Sequence, residues 1–288
     1  LGHRVYLCLL GRYPGGSQEA GGARRMISIR LFMLLIRASF RSRMQYKFNF
    51  VFSTLMSSFI QISEFLMVAL VMMKFGQIHG WTLYEVSYLY GVMMISKAIY
   101  RTLASDVHHL EKYLVSGDLD AILIRPVPVL LALMTQNSRI LIAEIGQGLI
   151  LLIISMKALI WSGQIGWIAI PLTGFIILTG AVILFAIGLA TAAAGFWLTR
   201  IESLQNMTED ASQTAARYPL SIYPKWLQGA LLVLVPVGFV NYIPALYVLR
   251  NEGGVGMLLG TLIVAAAVLW LAMRFWKLGL SRYQSTGS

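Results

Sequence analysis

Long uninterrupted apolar runs constrain this sequence more than any other feature. A helix rises 1.5 Å per residue, so about 20 apolar residues cross a hydrocarbon layer of about 30 Å. Six stretches reach or approach that length: Phe48–Met73, Leu83–Ala98, Ile140–Ile160, Trp167–Leu198, Leu227–Leu249 and Val255–Trp276. The second is shorter and more polar than the others. The fourth is over-long and contains Pro171, so its first turns are expected along the interface. Charged residues make up 12% of the chain, against about 25% in soluble domains, too few to coat a globule of this size. The pattern predicts an all-α integral membrane protein with about six transmembrane helices.

The net charge of +11 would suggest nucleic acid as a partner in a soluble protein. Here the basic residues flank the apolar runs, so anionic headgroups and orientation explain them and nucleic-acid binding is not expected. With the N-terminus inside and six alternating spans, the inner side holds eighteen Lys and Arg from Arg24 onward. The outer side holds three, Lys74, Lys157 and Arg250. Both termini are therefore expected in the cytoplasm. Cys8 is the only cysteine, which excludes an intrachain disulfide and thiolate metal sites. The first 25 residues, glycine-rich after a short apolar stretch, are expected to be a disordered extension upstream of a natural start at Met26. Residues 26–288 are expected to form a single transmembrane domain. Between Ile27 and Tyr46, Arg30, Arg37, Arg41 and Arg43 alternate with large apolar residues, which suits an interfacial helix at the inner headgroup layer. The alternative is an inward extension of the first span.

The longest hydrophilic connection is Arg101 to Gln136. Apolar residues at 103, 107, 110 and 114 draw a helical stripe, Gly117 ends it, and Pro126 and Pro128 delay any further helix. Two segments then carry a resemblance. LVSGDLDAILIRPVP at 114–128 contains a Gly-x-Leu-Asp…Leu-x-Arg-Pro pattern in Gly117, Leu119, Asp120, Leu123, Arg125 and Pro126. RYPLSIYPKWLQ at 217–228 is followed by PVGFVNYIPALYVL at 236–249. Together they resemble bacterial ABC exporter permeases of the type-2 family, and the resemblance extends from Met26 to the C-terminus.

The resemblance implies a permease subunit of the bacterial inner membrane. Such a subunit pairs with a second permease subunit, as homo- or heterodimer, and docks on a dimer of cytosolic ABC ATPases. It implies no cofactor. The loop between the second and third spans would carry a coupling helix, with Asp106, His109, Glu111, Gly117, Leu119, Asp120, Leu123, Arg125 and Pro126 as candidate contacts. Tyr218, Pro219, Tyr223, Pro224, Trp226, Asn241 and Pro244 would form an outer gate or re-entrant motif. The family also makes 201–216 a span, although Glu202, Glu209 and Asp210 suit a cytoplasmic loop. In the span reading, Tyr218 to Gln228 lie outside and 231–249 becomes a hairpin broken at Pro236 and Pro244.

Ionisable residues at membrane depth usually face a bundle interior or an aqueous path. Gln61 and Glu64 in the first span, and Glu144 and Gln147 in the third, are candidates for a translocation path; the other reading is that they hold the bundle together. Small residues from Gly180 to Gly195 mark a close-packing face, and Trp161, Trp167, Trp226 and Trp270 mark span ends. The sequence has no Gly-x-x-x-x-Gly-Lys-Ser/Thr loop, no HExxH and no GxSxG. ATP hydrolysis is therefore expected in a partner chain, and an embedded enzyme is the weaker reading. A transporter or channel working alone would fit two similar halves, which the sequence does not show.

Overall fold

The computed structural model describes residues 47–104, 106–125, 127–136, 141–198 and 200–283. The N-terminal extension, the arginine-rich 27–46 segment and Pro126 lie outside these described residues. Helix α1 (Lys47–Phe75) is apolar on most of its exposed surface, and Ser53, Thr54 and Ser63 satisfy their hydroxyls on its own carbonyls. A tight turn through Gly76 and Gly80 leads to α2 (Leu83–Leu103), which opens with a capping box. The Thr82 side chain accepts from the Glu85 N–H while the Glu85 carboxylate accepts from the Thr82 N–H at 2.8 Å. The signal Thr-x-x-Glu before an apolar run is plain in the sequence.

Two short helices, α3 (Leu110–Ser116) and α4 (Asp118–Leu123), follow, then α5 (Val129–Thr135). Helices α6 (Ile142–Trp161) and α7 (Ala169–Ala193) are joined by a short turn, and α7 tightens into a 3-10 turn through Phe196. Pro171 sits in the first turn of α7, where its missing N–H breaks no bond, so the helix runs through it rather than lying down. The chain continues as α8 (Glu202–Arg217), α9 (Lys225–Val233), α10 (Tyr242–Arg250) and α11 (Gly256–Arg282).

Helices α1, α6, α7 and α11 are long and apolar enough to cross a membrane, and α9 with the Val237–Arg250 segment makes up to a fifth, bent by 76°. The 21-residue α2 completes the bundle: it packs between α6 and α7 and is the most buried helix, with Tyr88, Leu89, Tyr90 and Val92 fully enclosed. Its crossing with α6 is backbone-close. A Cβ on Gly91 would meet the Gly148 carbonyl at 3.1 Å, and one on Gly148 would meet the Gly91 carbonyl at 3.2 Å. Small residues allow that approach in lipid, where packing supplies the attraction. The small-residue face of α7 likewise packs within the chain, Gly180 against Val240 and Gly188 against Tyr100.

Helix α8 is polar, yet it is packed into the bundle. It runs antiparallel along α2, placing Glu209 at Arg101, Gln213 at Lys97 and Arg217 at Tyr90. Its 16 residues span about 24 Å. The chain leaves the α8 axis at Tyr218 and returns at Asn241, whose side-chain amide donates to the carbonyls of Leu89 (3.1 Å) and Ala216. From there α10 continues to the far end of α2, where Arg250 meets Glu85. Thus α8 and α10 follow α2 one after the other, with residues 218–240 inserted between them. The bent pair of α9 and Val237–Arg250 fits either a broken span or a re-entrant loop. The segment 202–217 lies against α2, and Tyr218 departs level with Tyr90, well short of the Glu85 end. Only Pro236 interrupts the helix; Pro244 occupies the first turn of α10 and is tolerated there.

Candidate functional site

At the end of the bundle marked by Arg101, the connection between α2 and α6 folds on its own apolar residues. Leu110, Leu119 and Ile122 are buried with Val107, Val129 and Leu133 in the same core as α7 and Trp276 of α11. Gly117 takes a left-handed φ of +74°, which reverses the chain between α3 and α4 without the cost a Cβ would add. The Tyr113 hydroxyl donates to Asp106 at 2.5 Å. The Glu111 carboxylate accepts from the backbone N–H groups of Ile201 (2.7 Å) and Glu202 (2.5 Å), capping the start of α8. A carboxylate at that position satisfies orphan donors and complements the helix dipole.

The structure therefore divides the predicted contact residues. Asp106, Glu111 and Leu119 face inward and hold the loop together. His109, Leu123 and Arg125 are exposed, and Asp120 and Gly117 sit at the bend. Ile124, within the expected stretch Gly117 to Arg125, is 86% exposed, and the sequence reading missed Val115, which is 67% exposed. The apolar type of Val115 was visible, but only the fold shows that α3 buries Leu110 and turns Val115 outward. Tyr283, past the end of α11, lies by this loop. Burial, and then the neighbouring Asp120 carboxylate, push its phenol above the usual range.

Behind the loop, a row of polar side chains follows α8 into the bundle. Arg101 Nε lies 2.8 Å from Glu209, and His108 Nδ1 lies 3.1 Å from the other Glu209 oxygen. The second ring nitrogen of His108 lies 3.0 Å from the Asn206 side-chain oxygen. Burial, and then Arg101, hold the His108 pKa below 6.5. Lys97 donates to Gln213 at 2.7 Å, and Gln213 donates to Glu209 at 2.9 Å. Arg217 ends the row, 2.7 Å from Glu64 and 5.3 Å above the Tyr90 ring, itself edge-on to Phe65. Of the four path candidates, Glu64 is thus matched by a cation, and Gln147 donates to the Ser58 carbonyl at 3.0 Å, tying α6 to α1. Gln61 is half-buried and Glu144 is buried. Arg101, His108, Glu209 and Arg217 were not singled out from sequence, because their pairing depends on α8 entering the bundle.

The second resembling segment is split in the same way. Pro219, Asn241 and Pro244 are buried and Tyr218 is half-buried, while Pro224 and Trp226 are exposed on α9. The Tyr223 hydroxyl donates to the Thr214 carbonyl at 3.3 Å.

A family model for the ABC-2 family transporter protein matches residues 59–287, which takes in every helix from α2 onward and most of α1. The chain belongs to the ABC-2 transporter family. No curated protein matches it. Membership makes the chain a multi-pass membrane permease of ABC type, of a kind that is typically a non-catalytic membrane subunit partnered by an ABC ATPase. Among the described residues, no group of three or more His, Cys, Asp and Glu could hold a metal ion.

Proposed function

We propose that this ABC-2 permease is the membrane subunit of an exporter in the bacterial inner membrane. It would pair with a second permease subunit and be driven by a separate ATPase dimer on the cytosolic side. The observation that carries this reading is the α3–Gly117–α4 bend, where Val115 on one side and Leu123 and Ile124 on the other are exposed apolar residues, with Asp118 and Arg125 also exposed. Apolar side chains exposed on an aqueous surface favour a protein partner. The helices beneath are anchored by Leu110, Leu119 and Ile122 and by the Glu111 cap, so a push on the bend reaches α8 directly. Motion of α8 would then act on the Glu64–Arg217 pair, and Gln61, Glu64, Glu144 and Gln147 would line or border the path. The segment 218–240, with Tyr223, Pro224 and Trp226, would form the re-entrant gate.

The substitution Ile124→Asp tests the docking surface, because an 86% exposed side chain contributes little to folding. The ATPase should no longer copurify with the tagged permease, while yield and thermal midpoint stay unchanged. An unaltered amount of bound ATPase would refute docking at this bend.

A further inference from the structure

The base of α8 holds a buried amide that no protein group satisfies. Gln205 is 1% exposed, and among the described residues neither its side-chain nitrogen nor its oxygen has a hydrogen-bond partner. Leaving such a group dry forfeits the hydrogen bonds it makes to water in the unfolded chain. Gln205 borders a small cavity of about 20 Å³, whose polar lining includes Tyr100, His108, Thr191, Glu209 and Ser212. That volume exceeds the roughly 10–15 Å³ that one water centre requires and is far too small for an organic ligand. Charge selects the same occupant. Glu209 already faces Arg101 and His108, with Lys97 one turn away, so a metal cation would add to an existing positive excess. An anion would meet the Glu209 carboxylate.

We propose that this cavity is a built site for a single ordered water, held by Gln205 and Glu209 and bordered by Tyr100 and Ser212. The cavity lies where four parts of the molecule meet: the loop at His108, α2 at Tyr100, α7 at Thr191, and α8. It solvates the Glu209 oxygen that faces His108, and it completes the Gln205 amide. Direct bonds of fixed length would have to break for the loop and α8 to shift against each other. A bridging water exchanges partners at small cost, so it adds a yielding contact beside the direct bonds of His108 and Glu111 to α8.

Hydroxyl-radical footprinting of the purified full-length protein in detergent tests the site, because radiolysis of a bound water oxidises the side chains beside it. Tyr88 is the internal standard, a tyrosine of the same helix buried to a similar degree and bonded to Thr173. Tyr100 should be oxidised several-fold faster than Tyr88. Equal rates would overturn the proposal, and this arm needs no variant. Gln205→Leu should abolish the excess labelling of Tyr100 and lower the thermal midpoint, since it strips a hydrogen-bonding partner from the water. A raised midpoint would also overturn the proposal, because replacing a dry, unsatisfied amide by an apolar side chain stabilises. If Gln205→Leu does not fold, the wild-type labelling alone decides.

Discussion

Glu85, buried, and Glu209, half-buried, are carboxylates paired with an arginine at opposite ends of α2, yet they are built differently. Glu85 is 3% exposed at its side chain and receives hydrogen bonds from the Thr82 N–H and hydroxyl, from Gln164 at 2.9 Å and from Arg250 at 3.2 Å. Arg250 also donates to the Gly80 carbonyl and lies 4.1 Å above the Trp81 ring. Every strong donor is fixed at a helix end or a tight turn. Glu209 is 12% exposed, and its partners stand on a long loop and on two helix faces, beside an amide without a protein partner. The same acid–arginine chemistry therefore makes a clasp at one end and a joint at the other. A clasp ties α2, the α6–α7 turn and α10 into one body. A joint suits the end at which a partner would push.

The contrast breaks most directly at Glu85. Glu85→Ala removes the acceptor of a helix cap and leaves the Arg250 guanidinium, 25% exposed, without its counter-ion. Breaking a buried pair on one side costs about 3–5 kcal/mol, so denaturant or thermal unfolding in detergent should show a loss near 3 kcal/mol. The double variant Glu85→Leu with Arg250→Met should lose less than the single, because it strands no charge. A single-variant loss below about 1 kcal/mol would remove the distinction between clasp and joint.

His108 separates the two ends by pH. Its pKa is lowered in the folded protein by burial and by Arg101, so the unfolded chain binds its proton first as pH falls. Stability contributed by the neutral ring is complete above about pH 6.5 and declines as pH drops below that value. The thermal midpoint should therefore fall between about pH 6.5 and 5 in the parent protein and fall less in His108→Gln. An identical pH profile in the two would show that His108 does not govern the loop end.

The helices long enough to span were legible because their apolar runs have no other solution in water or lipid. The glycine stop at Gly117 was legible, but the stripe at 103, 107, 110 and 114 is not one helix: α2 ends at Leu103, turns fill 106–109, and α4 forms directly after Gly117. The course of the chain after Gly195 was not legible. Helix α8 carries Glu202, Glu209 and Asp210, and hydropathy alone keeps such a segment out of a bundle. Its charges enter because Arg101, Lys97 and His108 wait on other elements, and that pairing joins residues about 100 positions apart. For the same reason Glu64 reads in the sequence as an isolated acid, and only the position of Arg217 shows it to be matched. Glu85 was overlooked although its capping box is local, because the cap explains only two of its partners. Gln164 and Arg250 come from distant turns.

Glu64 and Arg217 extend the series to a third carboxylate and to the smallest expected effect. Side-chain exposure rises from 3% at Glu85 through 12% at Glu209 to 40% at Glu64, and its partner Arg217 is 19% exposed. An accessible pair retains part of its solvation when broken, so Glu64→Gln should cost about 1 kcal/mol or less. Gln keeps the shape and still offers an oxygen to the guanidinium. Reversal of the pair, Glu64→Arg with Arg217→Glu, should recover most of the loss seen in either single reversal. Arg217 also rests on Tyr90, so recovery should be incomplete: the swapped arrangement moves the cation off the ring and forfeits about 0.5–1 kcal/mol. A Glu64→Gln loss as large as that of Glu85→Ala would show that exposure does not rank these three pairs. Full additivity of the two reversals would show that the acid and the arginine do not interact in the membrane. The expected middle result, a small loss with partial rescue, would make this pair the contact most easily opened along α8.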